Sequence, residues 1–249
     1  YLKYDWCNHG KQNSEASYCT MRDALYKAGR PIVLSICEWG TTKPWEWGKD
    51  IGHLWRSTED IINCFDCKNY WGGLGVVQII DKLADIGEYS GPDHWNDPDM
   101  LEIGNGVLTP AEERLHMSMW AMFSAPLMAG NDLRNMSPQT LEILTNKEVL
   151  AIDQDKLGIS ATRWMKYGEL EIWFKPLDGG NCAFCLINRS SQPINLNSDL
   201  KTTIKGYPVD DSFIVRDLWK HKDIGATKEN VVATIPSHDV LMLKLTKKQ

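Results

Sequence analysis

Five carboxylates stand at or just after the ends of predicted strands, and two of them have a basic residue nearby. The carboxylates are Asp5, Glu38, Asp60, Asp97 and Asp99, with Lys3 two residues before Asp5 and Arg56 four before Asp60. Two carboxylates at one cavity can divide the nucleophile and acid roles of glycoside hydrolysis. A nearby cation keeps the nucleophile ionised, and partial burial raises the pKa of the acid. The residue types alone do not decide which pair reacts.

The first of these carboxylates, Asp5, ends the short β-prone run from Tyr1 to Tyr4 and is followed by a polar loop. Parallel α/β folds place their chemistry at the carboxyl ends of strands. An Asp in such a loop caps a turn at least as often as it reacts, so Asp5 alone decides little. The next predicted strand, residues 31–37, ends in the same way on Glu38-Trp39-Gly40. Two successive strands that end in carboxylates favour a site.

The elements that must position these residues alternate between strand and helix five times up to about residue 155. Strands are predicted at 1–4, 32–37, 53–57, around Trp95 and at 126–130, and helices at 14–28, 74–86, 109–124 and from Ser137-Pro138. Short β-rich runs with turn signals follow at 169–175, 182–188, 213–219, 231–235 and 240–245. The pattern predicts a parallel sheet and then an antiparallel β-domain.

Five βα units do not close a barrel, because eight of them need roughly 250 residues. Either the sheet is open and doubly wound, or three units lie upstream of Tyr1. The sequence begins inside a strand without an initiator Met or a signal peptide, which favours the second alternative. We therefore expect an α/β fold, with the later five units of a (β/α)8 TIM barrel over residues 1–158. An antiparallel β-sandwich domain is expected over residues 159–249.

The composition is that of a globular chain of 249 residues, 43% hydrophobic, with a net charge of -6. This charge argues against partners such as nucleic acid or an anionic membrane surface, and no apolar run reaches the length of a membrane span. Of the eleven Trp, many lie beside polar residues, as in sites that hold sugars: Trp6, Trp39, Trp45, Trp47, Trp55, Trp71 and Trp95. Trp120 and Trp173 are expected in the core.

The seven Cys include two C-x-x-C pairs, Cys64/Cys67 and Cys182/Cys185. The second pair lies in a strand-like run far from the first, which disfavours a four-thiolate zinc site. None of the six His shows the spacing of a metal pair, and His238-Asp239 is predicted to be a surface turn. Asn188-Arg189-Ser190 is a glycosylation sequon that matters only in a eukaryotic protein.

Four motifs, in this order and at this spacing, closely resemble the α-galactosidases of glycoside hydrolase family 27. They are Tyr-Leu-Lys-Tyr-Asp-x-Cys at 1–7, Cys-Glu-Trp-Gly at 37–40, Trp-Arg-x-x-x-Asp-Ile at 55–61 and Trp-Asn-Asp-Pro-Asp-Met-Leu at 95–101. The resemblance continues through 125–127, 131–134 and 151–155. It covers nearly all of residues 1–158, and the β-rich tail matches the family's C-terminal sandwich more loosely.

The resemblance implies a retaining exo-acting enzyme that releases terminal α-D-galactose with no cofactor and no metal. It assigns the nucleophile to Asp5 and the acid/base to Asp60, rather than to Glu59 or Asp97. It also implies a set of substrate-binding positions: Lys3, Cys7, Glu38, Trp39, Arg56, Asp99 and Met100. Within this set Glu38 and Trp39 match the segment that reads the galactose 2-hydroxyl, and Glu38 favours galactose over N-acetylgalactosamine.

The resemblance also concerns cysteines and partners. Cys7 matches a cysteine that the family bonds to an upstream partner, and Cys37 lacks its usual partner because Gly52-His53-Leu54 stands there. The expected partners are a galactose-terminated oligosaccharide or glycoconjugate and an N-terminal barrel segment with further sugar-binding residues. Whether the chain forms a homo-oligomer is left open by the resemblance. The expected location is secreted, extracellular or periplasmic, and lysosomal in a eukaryote.

Two other functions stay open beside the leading one. A β-L-arabinopyranosidase of the same family is the nearest enzymatic rival, because that sugar is galactose without its 6-hydroxymethyl group. The other alternative is a non-catalytic carbohydrate-binding protein.

Overall fold

The first half of the chain forms a parallel sheet of four strands. The structure, a computed structural model, describes residues 1–204, 207–210 and 212–248. Strands β1 (Leu2–Asp5), β2 (Leu34–Cys37), β3 (Leu54–Arg56) and β4 (Trp95–Asp97) pair side by side in chain order. Helices α1 (Ser14–Lys27), α2 (Pro44–Trp47) and α3 (Val76–Leu83) lie in the three crossover connections. This is the βα repetition that the sequence predicts.

Local chemistry explains where the long helices of this half begin. The side chain of Asn13 accepts a hydrogen bond from the Ala16 N–H at the start of α1. Helix α4 (Pro110–Phe123) begins with a capping box, in which Thr109 and Glu112 satisfy each other's backbone N–H groups. Helices α5 (Pro138–Thr145) and α6 (Lys147–Asp153) follow, capped by the side chains of Ser137 and Asn146.

In the first half of the chain, the structure differs from the predicted elements in two respects. The strand expected at 126–130 is reduced to one parallel bridge between Leu101 and Ala129, so the fifth unit contributes a single pairing within the described residues. Helices α2 and α6 were not predicted. Helix α2 has only four residues, which is too short for a helical period to show in the sequence.

The second half is a layered antiparallel β-domain. Its strands are β5 (Thr162–Tyr167), β6 (Leu170–Leu177), β7 (Asn181–Asn188), β8 (Ile194–Ser198), β9 (Thr202–Ile204), β10 (Tyr207–Val209), β11 (Phe213–Asp217), β12 (Lys222–Ala226), β13 (Val231–Ile235) and β14 (Val240–Lys247). Six of them form one sheet in the order β12-β11-β14-β7-β6-β5, and β8/β13 and β9/β10 form two-stranded sheets. A core that includes Phe184, Leu196 and Leu243 lies between the layers, so the domain is a sandwich.

The six-stranded sheet is covered on both faces, because its other face packs on the barrel half. One apolar core includes Leu115 and Trp120 of α4 together with Trp173, Ile187 and Met242 of the sheet. Strand β7 is therefore a nearly continuous buried run, and α4 is buried on almost every side. Trp120 and Trp173 are fully buried, as predicted.

Ion pairs surround this apolar contact between the two halves. Arg163 and Arg189 of the sandwich both contact Asp81 of α3 and the fully buried Glu171. The His238-Asp239 pair, predicted as a surface turn, does form a turn, but the turn is docked on α4. Asp239 accepts two hydrogen bonds from Arg114, and His238 Nδ1 lies 2.8 Å from Glu112 Oε1, so the surface prediction was wrong.

Within the described residues, no helix combines the length and apolar character needed to cross a bilayer.

Candidate active site

The pleat of the parallel sheet sorts its side chains onto two faces. The register pairs Lys3 with Ser35 and Asp5 with Cys37, and it pairs Arg56 with Asp97 on the neighbouring strands. Paired residues point to the same side of a sheet, so these side chains share one face, which we call the inner face. Tyr4, Ile36 and Trp55 belong to the opposite face, which packs against α1. The inner face thus carries a row of charges at the carboxyl ends of the strands.

Asp5 lies at the end of this row and is exposed. Its Oδ1 accepts a hydrogen bond from the Trp6 N–H at 3.0 Å, and Cys37 stands beside it in the register of β1 and β2. Burial raises the pKa of Cys37 to about 12, while the positive charges of Arg56 and Lys3 oppose this shift. The Cys37 thiol is therefore neutral. Sequence reasoning gave Cys37 no role at the site, because the register that sets it beside Asp5 has no local signal in the sequence.

The backbone behind Asp5 is fixed by the hydroxyl of Tyr18 on α1. This hydroxyl donates to the Tyr4 carbonyl at 2.8 Å and accepts from the Cys37 N–H at 3.1 Å. Tyr18 is fully buried against Trp6 and Trp55, so it ties the ends of β1 and β2 together. Nothing in its spacing marked Tyr18 as more than a core residue of a helix.

Arg56 contacts two further carboxylates of the site, Asp60 and Asp99. It is 1% exposed, and its Nη2 lies 2.8 Å from Asp99 Oδ2 and 3.1 Å from Asp60 Oδ1. Burial lowers the pKa of Arg56, but Asp99 and Asp97 outweigh it, so the pKa is raised and the guanidinium stays charged. Asp60 is half exposed, with a side-chain exposure of 50%. The guanidinium therefore orients a carboxylate that solvent or a substrate can reach.

Asp99 and Asp97 support this arrangement from β4. Asp99 adopts a left-handed backbone with φ 81° and accepts from the Ile61 N–H at 2.9 Å, next to Asp60. Asp97 is buried, which raises its pKa, and its Oδ1 accepts from the Asp99 N–H at 2.8 Å. Asp97, one of the five strand-end carboxylates of the sequence, thus belongs to the site, although the family resemblance gave it no role. Asp99 therefore holds the backbone next to Asp60 and pairs with Arg56, while Asp97 fixes the backbone of Asp99. Together the two carboxylates help to orient Asp60.

Glu38 directly follows Cys37, the last residue of β2, and is fully buried. Its Oε2 accepts from the N–H and the hydroxyl of Thr42, and burial raises its pKa. Its other carboxylate oxygen, Oε1, is buried without a hydrogen-bond partner among the described residues. Trp39 is partly buried against the outer core and keeps part of its surface exposed.

The remaining predicted substrate-binding positions, Lys3, Cys7 and Met100, are exposed. Lys3 and Cys7 are exposed, and the Cys7 thiol is free. Met100 is 38% exposed and directly follows Asp99. Two of the Trp expected at a sugar site do not reach it, because Trp6 and Trp55 are buried in the core of the outer face.

The cysteines form one disulfide, between Cys64 and Cys67 in the loop that follows Asp60. Cys182 and Cys185 lie on opposite faces of β7, one in the sandwich core and one in the core shared with α4. They cannot bind one metal ion together, so these four cysteines form no zinc site. Cys37 is free and buried.

Comparison with known proteins places this site in a family. The family model described as alpha galactosidase A matches residues 1–155, and the model of the alpha galactosidase C-terminal beta sandwich domain matches residues 167–245. The chain belongs to the α-galactosidase family. This confirms the resemblance to glycoside hydrolase family 27. The prediction of a partial barrel followed by a sandwich is confirmed with it.

Individual relatives agree with this assignment. The chain is 46% identical to alpha-galactosidase A of Cellvibrio japonicus over 257 residues, which covers 99% of the chain and 63% of that protein. The crystal structure of alpha-galactosidase I from Mortierella vinacea matches with a TM-score of 0.91 and 32% identity, over 100% of the chain and 68% of its own. A β-L-arabinopyranosidase from Geobacillus stearothermophilus shares the fold, with a TM-score of 0.83 and 23% identity over 99% and 57% of the two chains. The chain thus spans less than two thirds of the Cellvibrio protein.

Proposed function

We propose that the protein is a retaining exo-α-galactosidase in which Asp5 is the nucleophile and Asp60 is the acid/base. The observation that carries this proposal is the row of side chains on the inner face, with an exposed Asp5 at one end and the Arg56–Asp60 pair two strands away. Strands about 4.8 Å apart separate the backbones of Asp5 and Arg56 by about 10 Å. The proposed double displacement requires the Asp5 and Asp60 carboxyl groups to lie about 5–5.5 Å apart.

In the first step Asp5 attacks the anomeric carbon while the bond to the leaving oxygen breaks, and Asp60 donates its proton to that oxygen. The product is a β-galactosyl ester of Asp5. In the second step Asp60 takes a proton from water, the water oxygen attacks the anomeric carbon, and Asp5 leaves as a carboxylate. Two inversions give net retention. Lys3 lies on the same face of β1 as Asp5, where its positive charge favours the carboxylate, and Arg56 holds Asp60 in place.

The galactoside is favoured over the β-L-arabinopyranoside for a specific reason. The relatives named α-galactosidase match this chain at 46% and 32% identity, whereas the arabinopyranosidase matches at 23% and supports the fold alone. A purely carbohydrate-binding role is disfavoured, because Asp5 ends β1 and a second carboxylate, Asp60, is held by Arg56 at the end of β3.

We also propose that β1 pairs with a further parallel strand from additional βα units. Within the described residues β1 has a paired neighbour on one side only, β2. A cavity of about 480 Å³ on the inner face is lined by Tyr1, Leu54 and Trp95, at the amino-terminal ends of the strands. In a closed barrel this region is filled by side chains from the other strands. A secreted location is a proposal supported by the Cys64–Cys67 disulfide.

The test is the stereochemistry of hydrolysis by the natural full-length protein. With an aryl α-galactoside in deuterated water, NMR should show α-galactose as the first product, before mutarotation. Release of β-galactose would exclude the double displacement. Faster hydrolysis of an aryl β-L-arabinopyranoside than of the α-galactoside would favour the alternative substrate.

A further inference from the structure

The loop that follows Asp60 carries two adjacent aromatic residues at its tip. Tyr70 is 99% exposed and Trp71 is 53% exposed. Asn69 shapes this tip, because its Oδ1 accepts from the Gly73 N–H at 2.7 Å and its own N–H donates to the Gly73 carbonyl at 3.1 Å. Single exposed apolar residues are ordinary on protein surfaces, so the position and the support of each ring decide whether it has a function.

The base of this loop is bonded to the backbone of Asp60. The Leu74 N–H donates to the Asp60 carbonyl at 2.9 Å, and the Ile62 N–H donates to the Leu74 carbonyl at 2.9 Å. These two bonds form a parallel bridge between Ile61 and Leu74. Side chains alternate along such an extended segment. Ile61 is buried, so Asp60 and Ile62 point to the opposite, more open side.

The Trp71 ring lies on this same side. A Cβ added to Gly73 would be 2.5 Å from Cη2 of Trp71 and 2.7 Å from Cγ2 of Ile62. One edge of the indole therefore rests on Gly73 beside Ile62, while about half of the side chain stays open to solvent. The Cα of Ile62 lies at most about 7 Å from the Cα of Asp60, because two extended residues reach no further. The ring thus stands close to the proposed acid.

Tyr70 lacks this support. It is almost completely exposed, so packing does not fix the orientation of its ring. Ordering a free side chain on a ligand costs conformational entropy, which a supported ring has already lost. Of the two aromatic residues, Trp71 is therefore the one that the fold prepares for binding, and Tyr70 is a natural control.

The direction of the proposed reaction determines what Trp71 can meet. The acid donates its proton to the glycosidic oxygen, which is the first atom of the leaving group, so the leaving group extends on the Asp60 side of the galactose. We propose that Trp71 is a platform on which a leaving-group sugar of a galactose-terminated oligosaccharide stacks. The C–H face of a pyranose ring is apolar, and an indole buries such a face well. This inference rests on the proposed α-galactosidase function and assigns it a preference for oligosaccharides over simple galactosides.

The test compares two galactosides that differ in their leaving group. Raffinose releases the disaccharide sucrose, whereas methyl α-D-galactoside releases methanol, which is too small to reach a platform. In the natural full-length protein, Trp71→Ala should lower kcat/KM for raffinose about tenfold more than kcat/KM for the methyl galactoside. A factor of ten corresponds to about 1.4 kcal/mol, which is in the range of one aromatic contact.

Two matched variants accompany Trp71→Ala. Tyr70→Ala removes the neighbouring, unsupported ring and should leave the ratio of the two kcat/KM values as in the wild type. Gly73→Ala keeps both aromatic rings, but its Cβ would displace the Trp71 edge, so it should shift the ratio in the same direction as Trp71→Ala. Equal losses on both substrates in Trp71→Ala would mean that the ring supports Asp60 instead of the leaving group. That result, or an unchanged ratio, would overturn the proposal.

A binding measurement without turnover keeps this proposal distinguishable from the proposed function. In an Asp5→Ala background, calorimetric titration should show raffinose binding about tenfold more weakly when Trp71 is replaced by Ala. A wild-type protein that hydrolyses neither galactoside would refute the α-galactosidase function, and the titration would then decide the platform. Equal raffinose affinities with and without the Trp71 ring would overturn it. So would a loss of self-association in Trp71→Ala with unchanged raffinose affinity, because the ring would then belong to a contact between two copies of the chain.

Discussion

Replacing Asn188 by Asp tests whether the hydrogen bonds of the sandwich core are as costly to break as the structure indicates. Asn188 ends β7 and is fully buried, although it belongs to a glycosylation sequon. Its Nδ2 lies within 2.8–3.1 Å of the carbonyl oxygens of Gln192, Ile235 and Pro236. Its Oδ1 accepts from the N–H and the hydroxyl of Ser190, both at 2.8 Å. No surface of Asn188 is available to carry a glycan in the folded domain.

The expected cost follows from this inventory. Asn188→Asp keeps the acceptor and the shape but removes two N–H donors, which leaves buried carbonyls facing a carboxylate. Each unsatisfied buried group costs about 1–3 kcal/mol, so we expect a loss of about 4 kcal/mol in the free energy of unfolding at pH 8. Burial raises the pKa of the introduced carboxyl above its unfolded value. The folded variant therefore binds a proton more tightly, and its stability falls as the pH rises from about 4 through the folded pKa. At pH 5 the protonated side chain donates one bond, and the loss should shrink to about 2 kcal/mol.

The assay is unfolding in urea at pH 5 and at pH 8, followed by tryptophan fluorescence of the natural full-length protein. Asn195→Asp is a matched control, because Asn195 is exposed on β8 and its Oδ1, an acceptor from Thr234, is kept. The control should change stability by less than about 0.5 kcal/mol. Equal losses for the two variants at pH 8, or a loss for Asn188→Asp that does not change with pH, would refute the reasoning.

Three other outcomes are expected. Asp60→Ala should slow substrates with poor leaving groups far more than an activated aryl galactoside, which needs little protonation; a uniform loss across leaving groups would count against Asp60 as the acid. Gly40→Ala should lower stability and raise KM, because a Cβ would be 2.5 Å from the Ser57 carbonyl oxygen; a thermal unfolding midpoint equal to that of wild type would contradict the close contact. Residues 1–249 expressed alone should hydrolyse no aryl galactoside, since the outer edge of β1 has no partner within the described residues; a cooperatively folded, active product would disprove this.

The alternation of strands and helices was predictable because each element has a local signal. Caps at Asn13 and Thr109 and the strand-end carboxylates Asp5 and Asp60 all stand in the sequence within a few residues of the element they mark. The register of the sheet has no such signal. Without it, the sequence could not show that Cys37 lies beside Asp5 on the inner face.

The contacts between the two halves of the chain also could not be predicted from the sequence. Arg114 and Asp239 are 125 residues apart, and each alone resembles an ordinary surface charge. Asn188 carried a glycosylation sequon, and only the fold shows that its amide is enclosed by three carbonyls. A charged or polar residue reveals its role only when the partner that the fold brings to it is known.

The identity of the nucleophile is tested most directly by trapping the covalent intermediate. A fluorinated galactosyl fluoride slows the second step of a double displacement more than the first, so the glycosyl-enzyme accumulates and can be digested for peptide mass spectrometry. The account predicts a single added fluorogalactosyl group on the peptide that contains Asp5, and no label in the Asp5→Ala variant. Labelling of Asp60, or hydrolysis of the galactoside without any labelled peptide, would contradict it.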